Sequence, residues 1–337
     1  MNRIEIATWL EKHSVKNYTI NEDLSVDVAN DVYLTHRDLI EIPVRFRNII
    51  GGGFYCNNNK LISLKGCPKI VTSNFDCSNN QLTDLLDSCI EVAGYFNCSG
   101  NEISSLIGCP TVTGGDFNCD NNKLLTLEFC PSDVGGSFYC FDNKITSLIG
   151  CPFEIAGSFS CNNNKLSSLF GGPVRVNGNY HCSNNKITDL EGCSNYIYGG
   201  FYCSYNKLTT LVGCPDKVGE LYCHRNKLTN LEGSPAVVSG SFNCNSNKLL
   251  TLEGCSKEII GDFDCSYNKL TSLEYLPIIN ENKTLITENN NLSISECFLY
   301  DCSSEHIRSY YVSKKLNITI NSSLELQSGL GVKRSKI

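Results

Sequence analysis

One register runs through most of this 337-residue chain. The pattern V-x-G-x-F-x-C-x-x-N-x-L-x-x-L-x-G-C-P recurs with its first cysteine at Cys56, Cys77, Cys98, Cys119, Cys140, Cys161, Cys182, Cys203, Cys223, Cys244 and Cys265. Nine of the ten intervals are 21 residues, and the interval from Cys203 to Cys223 is 20. Three residues after each cysteine stands an asparagine: Asn59, Asn80, Asn101, Asn122, Asn143, Asn164, Asn185, Asn206, Asn226, Asn247 and Asn268. Five residues further on is always a leucine, from Leu64 to Leu273. A unit this short cannot bury its own apolar residues. Copies stacked in register can bury them against one another, so the repeat demands a solenoid.

Within the unit, F-x-C alternates as a strand with one buried face does, Phe and Cys inward. The glycine before it and the G-C-P after the leucine are turn chemistry. Each unit therefore reads as one short strand, a turn and an irregular return, with no room for a helix. Parallel strands stack about 4.8 Å apart, so eleven units make a curved rod on the order of 50 Å long.

In Asn74 to Leu85, residues Phe75, Cys77, Asn80 and Leu82 fill the slots of the core L-x-x-L-x-L-x-x-N-x-L. On these residues the chain resembles the leucine-rich repeat family over residues 28–277. The resemblance implies a repeat solenoid with parallel β-strands on the concave face, an irregular convex side and small α/β caps. It also implies that the concave face binds another protein. The short Cys- and Asn-rich dialect is similar to repeat proteins of tailed bacteriophages and large DNA viruses, which implies a viral protein in the host cytoplasm.

An open solenoid end exposes core and strand edge, so caps are expected. Residues 1–27 supply one: Asn2 with Glu5 is a helix-start signature, Ile4, Ile6, Trp9 and Leu10 are its apolar positions, and Tyr18 to Val28 alternates like strand. Val32, Leu34, Leu39, Ile42 and Pro43 fit a degenerate first repeat with Leu34 in the cysteine slot. The pattern stops after Leu273 and Pro277, leaving residues 278–337 as C-terminal cap and tail.

The chain holds 21 cysteines. Eleven form the ladder, and eight more lie in the turns: Cys67, Cys89, Cys109, Cys130, Cys151, Cys193, Cys214 and Cys255. Ladder neighbours about 4.8 Å apart with parallel Cβ vectors are poorly placed for disulfides. Gly172, Ser234 and Leu276 in the turn slot mark it as a size choice. Reduced thiols and a cytoplasmic location follow. There is no C-x-x-C; Cys297, Cys302 and His306 offer a metal three ligands without a fourth, so a buried capping helix is the expectation and no cofactor is assigned. His181 and His224 have no paired nucleophile in their register, and no phosphate-binding loop occurs, so no enzyme is expected.

The eleven asparagines read as structural, each carrying a donor and an acceptor for the turn after its strand. Lys60, Lys123, Lys144, Lys165, Lys186, Lys207, Lys227, Lys248 and Lys269 follow nine of them and form a stripe. With Glu128, Glu191, Glu232, Glu253 and Glu274 nearby and a formal net charge of −7, the stripe reads as a solvated edge, and nucleic acid is an unlikely partner. The informative variation is outward on the strands. Early units carry small polar residues there, such as Asn97, Ser99, Asn118 and Asp120; later ones carry Tyr139, Phe141, His181, Tyr202, Tyr205, Tyr222, His224 and Arg225. Aromatic residues and Arg are enriched at interface hot spots, so these eight are the candidate partner-binding residues, with a protein partner and no membrane. The alternative is a structural component of a virion or assembly, whose surface packs on copies of itself or a capsid protein; a second alternative is nucleic-acid binding along the lysine stripe.

Overall fold

The structure is a computed structural model that describes residues 1–280 and 282–293, together with 307, 309–311 and 313. Its spine is one thirteen-stranded sheet that runs from Val32–Tyr33 to Leu285–Ile286, one two-residue strand per rung. All pairings are parallel and in register, as in Phe117↔Phe138 and Asn118↔Tyr139. The pleat turns Phe and Cys into a continuous core: Phe75, Phe96, Phe117, Phe138, Phe159, Cys77, Cys98, Cys119, Cys140 and Cys161 are fully buried. Successive Phe rings stack along the axis, with centroids 5.2–5.8 Å apart from Phe54 to Phe159. Burying an aromatic side chain this way contributes roughly 1.5–3 kcal/mol per rung.

The asparagine ladder stitches rungs together. Asn122 Nδ2 donates to the carbonyls of Cys119 (3.2 Å) and, one rung back, Cys98 (3.0 Å), while its Oδ1 accepts the Ile103 N–H (3.0 Å). The same set recurs at each ladder position, and Asn59 ties in the degenerate first rung through Leu34 O at 2.8 Å. Each side chain thus satisfies backbone groups that sit too deep for water.

The return side is more ordered than a single-strand unit implies. A second two-residue strand follows each turn, such as Ile70–Val71 or Glu91–Val92, and these pair into runs of four, three and four, the first run extended by Phe46–Ile49 and the N-terminal hairpin. One interruption falls at the 20-residue unit. Val218 is followed by Leu221 after two residues, where Ile197 precedes Phe201 by three, so the corner is one residue short. The spine absorbs the deletion without a break, Tyr202↔Tyr222, while Tyr196–Ile197 and Lys217–Val218 do not pair.

At the N-terminus, Asn2 caps helix Arg3–Lys12, accepting from the Ile4 and Glu5 N–H groups while Glu5 accepts the Asn2 N–H. Ile6 and Leu10 are the buried positions; Ile4 points to solvent, 78% exposed. The alternating stretch is an antiparallel hairpin, Tyr18–Ile20 with Val26–Val28. At the other end the ladder runs one rung past Pro277: Asn290 donates to Cys265 O (3.0 Å) and accepts the Leu270 N–H (3.0 Å), and Thr287 takes the cysteine slot. Ile307 and Tyr311 then cover the core, with the Leu273 N–H donating to Tyr311 Oη at 2.8 Å. Cys297, Cys302 and His306, the metal candidates, lie outside the described residues.

Candidate functional site

Outward positions of the spine form its open face. Along it, six of the eight candidate residues come together. His181 stacks on Tyr202 (centroids 4.4 Å, planes 9° apart), and Tyr202 stacks on Tyr222 at 5.2 Å. His224 meets Tyr222 edge-on at 6.4 Å and Tyr205 at 5.4 Å; the Arg225 guanidinium lies over the Tyr205 ring at 5.2 Å. The parallel register brings these side chains onto adjacent rungs. Tyr139 and Phe141 stand apart, because Ser160 and Asn162 occupy the rung between. Tyr139 instead walls a small hollow of about 170 Å³ with Tyr95, Asp116 and Asn118. A second tyrosine stack, which the repeat pattern did not single out, is Tyr33 on Tyr55 at 4.9 Å. Tyr33 belongs to the degenerate rung, where no consensus marks the outward slot.

The cluster is half-buried and polar at its margins. Tyr202 Oη donates to Glu220 Oε2 at 2.5 Å; burial and this carboxylate hold the phenol proton on. Burial keeps His181 below its ordinary pKa, and burial with the neighbouring Arg225 charge does the same for His224. One reading of the sequence is corrected here: His224 does have a hydroxyl neighbour. Ser204 Oγ lies 2.9 Å from His224 Nδ1. The hydroxyl also lies 3.0 Å from the Tyr222 carbonyl, an acceptor that competes with the imidazole for its proton. Ser204 is buried, 3% exposed.

The residue two before each ladder lysine has a left-handed backbone. Asn58, Asn79, Gly100, Asn121, Asp142, Asn163 and Asn184 fill it in the first seven units, types that tolerate positive φ. Tyr205 (φ 55°), Arg225 (φ 54°) and Tyr267 (φ 52°) then replace them, with both tyrosines exposed, 45% and 58%. Large side chains there cost backbone energy that the earlier units avoid, and an outlier of this kind points to a use for the side chain.

The lysines form a true ladder. Each backbone N–H bonds the preceding rung, as in Lys207 to Ile187 O (2.9 Å) and Lys227 to Leu208 O (2.8 Å). Lys60 pairs with Asp38 and Lys123 with Glu102. The seven from Lys144 through Lys165, Lys186, Lys207, Lys227 and Lys248 to Lys269 are exposed and make no ion pair among the described residues. Beside them runs a row of exposed hydroxyls, Thr146, Ser167, Thr188, Thr209, Thr229 and Thr271, two residues on.

Larger clefts lie on the return side: one of about 530 Å³ lined by Lys257, Tyr275, Leu276 and Ile278, and two beside more charged residues. One, of about 690 Å³, is lined by Arg45, Arg47, Lys65 and Lys69 with Glu41 and Asp87. Its arginines are already paired with Asp23 and Asp27. The other, of about 460 Å³, sits at the shortened corner between Tyr196, Tyr198, Asp216 and Lys217. Among the described residues no group of three or more His, Cys, Asp or Glu could hold a metal ion. All nineteen cysteines described are free thiols, and burial pushes the turn thiols Cys89, Cys130 and Cys193 up to about 12. No helix described is long and apolar enough to cross a membrane.

Solved structures fit this geometry. The leucine-rich repeat domain of APL1B aligns over 89% of this chain and 90% of that one, with a TM-score of 0.58 at 13% identity. The APL1 leucine-rich repeat domain aligns over 84% and 91%, with a TM-score of 0.56 at 13% identity. The fold is a leucine-rich repeat solenoid. Its thirteen-stranded spine is the concave-face sheet of that fold, and its convex side here carries short strands with little helix. No protein-family model and no curated protein matches the chain.

Proposed function

We propose that this leucine-rich repeat protein is a protein-interaction scaffold. Its partner docks on the concave sheet around His181, Tyr202, Tyr222, His224, Tyr205 and Arg225. The observation that carries the reading is their continuity: stacked and edge-on rings cover adjacent rungs of the sheet's outward face. Rings held by rung-to-rung stacking and by the Tyr202–Glu220 hydrogen bond lose little freedom on binding, which favours affinity. Tyr139 and Phe141 lie outside that contiguous patch and add a second, smaller contact. Nothing in the site calls for a cofactor.

The test is capture of partners under reducing conditions by the wild type and by Tyr202→Ser/Tyr222→Ser, with matched circular dichroism. The reading expects a protein bound by the wild type and lost from the variant. Capture of one and the same set by both proteins would sink it.

A further inference from the structure

We infer that the lysine edge of this solenoid is a second binding surface, for single-stranded nucleic acid. It does not rest on the protein-docking reading, although Tyr205 and Arg225 border both surfaces. The glutamates that flank the lysines in sequence appear to the eye as their counter-charges, and they argue for a merely solvated edge. The structure removes that argument. Glu128, Glu191, Glu232 and Glu253 pair with none of the ladder lysines. Four further acids, Glu91, Asp133, Glu154 and Glu258, lie on the return-side strands, away from the lysine edge.

What remains is a row of seven lysines without an ion pair among the described residues, Lys144 to Lys269, whose backbones are held at rung spacing by hydrogen bonds. At about 4.8 Å per rung the row is roughly 30 Å long. It is a single row, suited to one phosphate backbone, and the neighbouring Ser/Thr hydroxyls are additional phosphate donors. On its concave side stand the large residues in the left-handed slot: Tyr205, Arg225 and Tyr267. Exposed rings beside a line of cations form a stacking platform with an electrostatic track, the combination that holds unpaired bases. An acidic polypeptide would use the lysines and leave Tyr267, exposed at positive φ outside the concave cluster, without a purpose. Asp142 is the one acidic residue in that slot, at the first rung of the row, beside Lys144.

The experiment uses the full chain and a fluorescein-labelled dT20 oligonucleotide, with anisotropy read from 25 to 200 mM salt. Neutralising seven phosphates predicts a slope of log K against log salt of about −5, from roughly −0.7 per phosphate. Lys186→Gln/Lys207→Gln/Lys227→Gln/Lys248→Gln leaves three lysines, so the slope falls to about −2. Tyr205→Asn/Tyr267→Asn installs the residue that earlier units carry in this slot. It weakens dT20 binding at least about fivefold per ring and leaves the slope unchanged. Thermal unfolding checks that both variants keep the fold. Absence of dT20 binding at 25 mM salt overturns the inference. So does a slope that the lysine changes do not move, or displacement of dT20 by poly-L-glutamate at equal charge concentration, which would assign the edge to an acidic protein.

Discussion

Tyr180 and Gly172 are two departures from the repeat that the structure joins into one. Tyr180 takes the place of Phe in the buried ring ladder, and its Oη is buried without a hydrogen-bond partner. Gly172 takes the place of the turn cysteine. A Cβ built on it would lie 3.2 Å from Tyr180 Oη, 3.0 Å from Leu148 Cδ1 and 3.1 Å from Leu169 O. The tyrosine hydroxyl therefore fills the space that a thiol fills in other units. Gly172 does not have a positive φ, so the backbone itself accepts a side chain. Gly172→Cys alone drives Cβ and Sγ into the hydroxyl and should destabilise by about 1–3 kcal/mol. Tyr180→Phe alone removes an unpaired buried hydroxyl, a gain of about 1–3 kcal/mol, and opens a small void that offsets most of it. The double change restores the consensus packing and should be at least as stable as the wild type. The expected coupling energy is about 1–3 kcal/mol. Urea unfolding of the four proteins, followed by circular dichroism in reducing buffer, measures it. Equal destabilisation by Gly172→Cys with Tyr or Phe at position 180 would refute the compensation.

Three further outcomes follow from the same coordinates. Asn206→Ala strips the Ile187 N–H of its acceptor (3.1 Å), while the Cys182 and Cys203 carbonyls each lose one of two donors and keep Asn185 and Asn226; with one buried group left unpaired it should cost about 1–3 kcal/mol, read from the urea midpoint. Burial holds His181 and His224 below the ordinary value of 6.5, so the unfolded chain takes up protons that the native state declines. Stability should fall as pH drops through about 6.5 and level off below the native pKa values, and His181→Gln/His224→Gln should show a shallower slope between pH 7 and 5. The turn thiols Cys89, Cys130 and Cys193, pushed up to about 12 by burial, carry almost no thiolate at pH 8. Iodoacetamide should leave them unlabelled in the native protein and label them in urea, as peptide mapping would show.

The solenoid, its register and its inward residues were legible in the chain because a strict 21-residue period leaves the stacking of units as the only way to bury Phe and Cys. The N-terminal helix was legible too, since a capping box is a local device. The last rung was not: Leu285 and Thr287 replace Phe and Cys, and only the spacing of Asn290 and Leu292 hinted at it. The second strand ladder also escaped, because two-residue strands have too little length to show a period.

At the site, the identity of the outward residues came from sequence, and their grouping came from the parallel register of the spine. Which rings touch, that Tyr139 and Phe141 stand apart, and that Ser204 faces His224 are facts about side chains, the touching pairs lying 18 to 21 residues apart. Periodicity places such residues on one face but says nothing of rotamer or hydrogen-bond direction. The charge of the lysine edge shows the same division. Sequence alone set lysine at the same place in each later unit. Only the folded chain decided that the neighbouring glutamates do not neutralise it, because pairing depends on which way a turn points its side chains, and the turn is fixed by tertiary stacking.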